Sequence, residues 1–288
     1  MREQSASGHI VVGVDGSRSA LRAARWAVDE AVFRDVPIRL VCAIKPPDGN
    51  DSPEHAARRL GVAEVATRQA IVAIEAADKP VKIEVEIDQN HPLNALARAS
   101  RSAAMVCVGA VGLRHFQPGR VGSTAAGIAA TAHCPVAVIN ECDSNRIRDE
   151  ARWIVVEAGT SPDRGILLEA AMDEARLRNA PLRIITCWQS DNADVDDADD
   201  VAAANRRVLA RLDRRLARWT RRYPELDVQA IAVHGSIIEY LTKHAATVQL
   251  VVVGAQDHRD LSQLIGPGGN AALRHADCSL LIVDRQNL

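Results

Sequence analysis

The amino-acid sequence repeats itself across its whole length. His9-Ile10-Val11-Val12-Gly13-Val14-Asp15-Gly16-Ser17 near the start is echoed by Trp153-Ile154-Val155-Val156-Glu157-Ala158-Gly159-Thr160. Asp29-Glu30-Ala31 is echoed by Asp173-Glu174-Ala175, and Val36-Pro37-Ile38-Arg39-Leu40-Val41 by Ala180-Pro181-Leu182-Arg183-Ile184-Ile185. Val106-Cys107-Val108-Gly109 pairs with Val251-Val252-Val253-Gly254, and His133-Cys134-Pro135-Val136 with Asp277-Cys278-Ser279-Leu280. An offset this steady means one domain duplicated in tandem, so both halves must adopt one fold. The expected domains are residues 1–143 and 150–288. The polar stretch from Asn140 to Arg152 reads as the linker between them.

Length agrees, since 288 residues suit two ordinary domains. Within each half, short apolar runs alternate with helical patterns. The runs are 10–14, 38–44, 83–87, 104–109 and 135–139, then 153–156, 182–188, 227–233, 248–253 and 279–283. Near-continuous Val/Ile runs are the mark of parallel strands covered on both faces. From Ala20 to Phe33, Leu21, Ala24, Ala27, Val28 and Ala31 recur at helical spacing. The predicted fold is α/β. It has two tandem doubly wound domains, each a five-stranded parallel sheet flanked by helices. Ligands of such sheets bind beyond the carboxyl ends of the strands, where the strand order reverses.

Charge and composition exclude several functions. A net charge of −2 argues against a dedicated nucleic-acid or membrane-surface binder, and 3% aromatics leaves little for base stacking. Met1–Gly8 is polar, so no signal peptide is expected, and the apolar runs are too short for membrane helices. The six cysteines at 42, 107, 134, 142, 187 and 278 form no CxxC pair. They read as reduced, mostly buried thiols of a cytoplasmic protein. His91, His133, His234, His244 and His275 make no HxH or HxxxH pair, so no metal site is expected. No GxSxG or GxxxxGK[ST] occurs, and no catalytic residue is assigned.

After the fourth strand run of the first copy comes Gly109-x2-Gly112-x9-Gly122-Ser123-Thr124, which opens the Ala-rich helix Ala125 to Ala132. Glycines at a strand end let backbone approach a phosphate, and a helix N-terminus offers free N–H donors to an anion. Ser123 and Thr124 add hydroxyls, one of them a candidate cap. Arg114, His115 and Arg120 stand in the loop within reach of phosphate oxygens. Asp15, at the end of the first strand run, faces the same crevice as an acceptor for ribose hydroxyls. Its plainer reading is a turn-forming Asp-Gly.

With these residues in hand, the chain resembles a tandem universal stress protein over essentially its full length. The resemblance rests on Val12-Gly13-Val14-Asp15-Gly16-Ser17, the Gly109/Gly112/Gly122-Ser123 skeleton, and Ala132-His133-Cys134-Pro135-Val136. It implies the adenine nucleotide alpha hydrolase-like fold and ATP binding, with Mg2+, in members that keep this skeleton. It implies a homodimer formed through the last strand, an unidentified protein partner, a cytoplasmic location and a role in stress survival or growth control. It also implies that backbone groups after the second strand, here Ala43 and Ile44, hold the adenine. The expected binding set is therefore Asp15, Ala43, Ile44, Gly109, Gly112, Arg120, Gly122, Ser123 and Thr124.

The second copy departs from this pattern. Asp15 falls on Ala158, Gly112 falls on Asp257, and the helix start becomes Gly266-Pro267-Gly268-Gly269-Asn270. A carboxylate where phosphates should sit repels them. About one ATP per chain is expected, leaving the second copy as a docking or dimerisation scaffold. The acidic run Asp191–Asp200 reads as a solvated loop ending in helix-capping aspartates. In the helix that follows, Arg207, Arg211, Arg214, Arg218 and Arg221 share one face, read as solvated rather than as a nucleic-acid surface. Three functions stay open from sequence: an ATP-binding regulator, a slow ATPase, and a nucleotide-free interaction scaffold.

Overall fold

The computed structural model describes residues 8–46, 52–112, 121–140, 152–158, 165–189, 198–255, 261, 264–266, 269, 271, 273 and 278–283. The chain divides into two compact units between Glu141 and Cys142. Arg120, Arg114, His115, Asp257, Cys142 and the linker core 141–151 lie outside the described residues.

In the first unit the order is β1 (Ile10–Gly13), α1 (Arg18–Arg34), β2 (Ile38–Ala43), α2 (Pro53–Glu75), β3 (Ile83–Asp88), α3 (Pro92–Ser100), β4 (Met105–Gly109), α4 (Ser123–Thr131) and β5 (Val136–Ile139). The strands lie in the order β3-β2-β1-β4-β5 and all pair in parallel. Ile10 sits between Ile38 and Met105, which fixes the register at the sheet centre. β1 and β4 are buried almost throughout, whereas the edge strand β3 is largely half-exposed. That follows from position, because a central strand is covered on two faces and by two neighbours. α1 packs beside α2, and α3 beside α4. The face α1 turns to the sheet is mostly alanine (Ala20, Ala23, Ala24, Ala27, Val28, Ala31), so the helix can approach the strands closely.

The second unit repeats the plan: β6 (Trp153–Glu157), α5 (Gly165–Leu177), β7 (Leu182–Trp188), α6 (Ala198–Arg222), β8 (Val228–His234), α7 (Ile237–His244), β9 (Val248–Gly254) and β10 (Ser279–Val283). Its strands run β10-β9-β6-β7-β8, again parallel. The α/β fold read from the sequence is thus present in both units, with five parallel strands in each. The duplication extends to buried detail. Glu30 is fully buried and ion-paired with Arg34 one turn on, and Glu174 repeats this with Arg178 at 2.9 Å. Among the described residues no helix is long and apolar enough to cross a membrane.

Candidate functional site

β1 and β4 are neighbours, but the chain leaves β1 towards β2 and leaves β4 towards β5, on opposite sides. This is the reversal that opens a crevice above the carboxyl ends of the strands. Val14 N–H still bonds Val41 O at 3.0 Å, so Asp15 is the first residue past the sheet, and it is exposed. Ser17 N–H donates to Asp15 Oδ1 at 2.9 Å, across a Gly16 whose φ of 84° favours glycine. Ser17 Oγ in turn accepts from Ala20 N–H at 3.2 Å and caps α1. Asp15 therefore forms the turn and also faces the crevice; the two readings of Asp-Gly coexist.

Across the crevice stands Gly112. A Cβ placed there would lie 2.7 Å from Asp15 Oδ2, so any larger residue would push the carboxylate from the position it holds against this backbone. Gly122 N–H donates to Ala110 O at 2.8 Å, tying the start of α4 to the exit of β4. The structure thus brings Asp15, Gly112 and Gly122 together. Gly109 lies slightly apart and has a different neighbour. A Cβ on it would come within 2.5 Å of Ser19 Oγ and 2.6 Å of the Ser19 carbonyl carbon, so this glycine makes room for α1.

Ser123 and Thr124 occupy the first turn of α4. The residue at its cap position is Gly122, with no side-chain cap bond, so the capping role expected of Ser123 or Thr124 is corrected. Their hydroxyls are not used as caps, because both residues already have helical backbone and stand past the cap. α1 also begins just after the Asp15 turn, so two helix N-termini flank the crevice, each with orphan N–H donors and a partial positive charge.

At the end of β2, Ala43 is in register with Asp88, and Ile44 N–H donates to Asp88 O at 2.8 Å. What Ile44 offers a base is accordingly its carbonyl. Beneath lies Cys42, whose thiol is pushed up to about 11, first by burial and then by the negative charge of Asp15. It is a neutral thiol near pH 7 and no nucleophile.

Sequence reasoning missed Ser19. Its hydroxyl donates to Val111 O and lies 3.2 Å from Ser17 Oγ, stitching the start of α1 to the loop that leaves β4. The signal was present as a second serine two residues after the capping one.

One alignment needs correction. Ala158 N–H bonds Ile185 O at 2.7 Å, the counterpart of Val14 with Val41. Ala158 therefore matches Val14, and Asp15 matches Gly159, outside the described residues. The loss of the carboxylate stands, one residue further on. Glu157, buried at the end of β6, takes the position of Gly13, and Arg215 Nη1 donates to Ala158 O at 3.3 Å. The second unit thus fills the end of β6 with side chains where the first leaves the end of β1 to Gly13, while β9 ends in Gly254 as β4 does in Gly109.

The model of the "Universal stress protein family" matches residues 7–140 and 151–284. Universal stress protein Rv2028c of Mycobacterium tuberculosis is 52% identical over 280 residues, covering 97% of either chain. Universal stress protein Rv2624c of the same organism is 40% identical over 276 residues, 96% of each. Among solved structures, a universal stress protein from Archaeoglobus fulgidus superposes over 98% of this chain and 97% of its own, with a TM-score of 0.69 at 17% identity. That likeness speaks to the fold. Matched twice along its length and closely related to tandem relatives, the chain belongs to the universal stress protein family.

Proposed function

We propose that the first unit binds ATP in the crevice between β1 and β4, and that the chain is a nucleotide-dependent regulator in stress response or growth control. One observation carries this reading: the meeting of the Asp15 carboxylate, the Cβ-free face of Gly112 and the N-terminus of α4 at the point where strand order reverses. In this arrangement the γ- and β-phosphates lie against the backbone of Gly112 and Gly122 and the hydroxyls of Ser123 and Thr124, with Arg120 adding charge. Helix N–H groups and the helix dipole balance the anion. A carboxylate accepts several hydrogen bonds at once, and Asp15 takes ribose hydroxyls. The Ile44 and Ala43 backbone holds the adenine edge. Mg2+ enters with the nucleotide, held mainly by its phosphates, with hydroxyl oxygens suited to a hard cation.

The second unit binds no ATP in this reading and serves docking. The chain works in the cytoplasm as a homodimer, which light scattering at micromolar concentration tests; a monomer removes the dimer. The direct test of the ligand is mass analysis of nucleotide carried through purification, with calorimetric titration of the emptied protein. ATP in near-equal amount to chain supports the reading. No carried nucleotide and no thermal shift with ATP leave the scaffold function. Turnover well above a no-protein control makes the protein an ATPase instead.

A further inference from the structure

α2 and α6 are the same helix in the two copies. Their buried residues follow one spacing: Ala63, Thr67, Ala70 and Ile74 in α2 match Leu212, Leu216, Trp219 and Tyr223 in and just after α6, while Ala66 and Ala73, also buried in α2, fall on Arg215 and Arg222. Carried outward, that match sets the exposed positions Arg58, Val62, Val65, Gln69 and Val72 against Arg207, Arg211, Arg214, Arg218 and Arg221. The first copy has one arginine, three valines and a glutamine there. The second has an unbroken ladder of guanidinium groups on the side turned away from its sheet.

The ladder is presented, not neutralised. All five arginines are exposed and none forms an ion pair among the described residues. Arg214 Nε and Arg221 Nε donate back to Ala210 O and Ala217 O, which orients the forks along the helix surface. Arg218 lies over the Trp219 ring at 5.2 Å. Arg222, beside the ladder, is paired with Glu169 at 2.6 Å. Adjacent helix residues point ~100° apart, so Asp213, next to Arg214, stands off the ladder. Asp199 and Asp200 are confined to the first turn, where the helix dipole favours them. The helix carries eight arginines and no lysine. Arginine is the residue suited to bidentate contact with phosphate.

We infer that the outer face of α6 is a docking surface for the phosphate backbone of a nucleic-acid duplex, bound without regard to sequence. Fourteen residues of helix place the five guanidiniums along about 21 Å. Over that length one strand of a duplex presents about six phosphates. The aromatic residue of this helix, Trp219, and Tyr223 just after it are buried, so neither is offered on its face to stack on bases. A membrane surface fits less well. The exposed large apolar residues are Val32, Leu60, Val62, Val65, Val72 and Val85, all in the first unit, so among the described residues the ladder has no apolar neighbours to insert. The net charge of −2 does not oppose a local contact of this kind, though it rules out binding over the whole surface. This inference is independent of where ATP binds.

The test is fluorescence anisotropy of the full chain with a labelled mixed-sequence 20-base-pair DNA duplex, starting at about 50 mM salt and titrating upward. Five phosphate contacts predict a log–log slope of affinity against salt near −4.5. Replacing Arg211, Arg214 and Arg218 by Gln should lower affinity at least tenfold and flatten the slope by nearly three. Gln keeps helix propensity, and an unchanged circular dichroism spectrum and melting temperature certify the fold. Arg58→Gln with Arg68→Gln on α2 is the matched control and should change nothing. Absence of duplex binding at low salt overturns the inference, as does equal binding by the triple variant. Tighter binding to phosphatidylserine vesicles or to poly-glutamate than to the duplex overturns it in favour of a lipid or acidic-protein partner.

Discussion

At the amino-terminal ends of the strands the two copies solve one structural problem with different chemistry. In the first, Arg39 on β2 reaches Glu84 on β3 at 3.2 Å, His9 lies 3.0 Å from the same carboxylate, and Lys82 binds its other oxygen at 2.9 Å. In the second, the matching residues are Arg183, Gln229 and Trp153. Arg183 Nε donates to Gln229 Oε1 at 2.9 Å, its Nη1 donates to Tyr240 OH at 2.8 Å, and its guanidinium lies 4.0 Å over the Trp153 ring. An ionic cluster has become a stacked, amide-bonded one, while Ile10 and Ile154 beside them remain fully buried. The same division recurs at the crevice and on α2 and α6. Duplication has kept the core and the registers and has let the outer positions diverge. Function is to be sought where the copies differ.

The largest effect that sharpens this contrast is at Gly112. Gly112→Val puts side-chain atoms where Asp15 Oδ2 stands, and ATP affinity should fall more than a hundredfold by calorimetry. Asp257→Gly in the second copy should not create a second site, because Asp15 has no carboxylate counterpart there. Next comes Asp15→Asn. The amide oxygen can still accept from Ser17 N–H, so the turn survives, while the proposed charge-assisted bond to ribose would be lost. At ~1.5–3 kcal/mol for such a bond, affinity should fall roughly ten- to a hundredfold. Turnover at saturating nucleotide, if any, should hardly change; a collapse of turnover with affinity retained would make Asp15 catalytic.

Gly109→Ala acts on stability instead. A Cβ 2.5 Å from Ser19 Oγ and 2.6 Å from its backbone forces α1 outward, costing about 1–3 kcal/mol, read as a lowered melting temperature. Gly254→Ala at the matching position of the second copy should leave nucleotide affinity unchanged.

The smallest effect is acid sensitivity. Lys82, then Arg39 and the positive side of His9, hold the Glu84 carboxyl down at about 2, against a partial opposing effect of burial. A carboxylate lowered on folding stabilises above its unfolded value near 4.5 and loses that contribution as pH falls towards 2. Glu84→Gln, which copies Gln229, should flatten the melting temperature between pH 4.5 and 2 by no more than a few degrees, since the site is partly exposed.

Much of this was legible in the sequence. The strand runs agree with the observed strands to within a residue at each end, because short β-branched runs bounded by polar turns and helical patterns fit buried strands better than helices. The convergence of Asp15, Gly112 and Gly122 followed from placing motifs at strand ends. What escaped had physical reasons. Strand pairing gives an offset of 144 at β1 and β2 and 145 at β4; the match of Asp15 with Ala158 takes 143, one short, and at 144 the counterpart is Gly159. Glycine alone does not say whether a ligand or a neighbouring helix fills the space of its missing side chain; Gly109 faces Ser19 and Gly112 faces Asp15. The arginine face was visible as spacing, but its contrast with Val62, Val65 and Val72 needed the buried faces of both helices to align them.

Whether one copy keeps a nucleotide site that the other lacks, as proposed, is decided by calorimetric titration of the emptied full chain with ATP. A single class of site at one ATP per chain, abolished by Gly112→Val, is expected; two equivalent sites, or one site that survives Gly112→Val, would overturn the proposal.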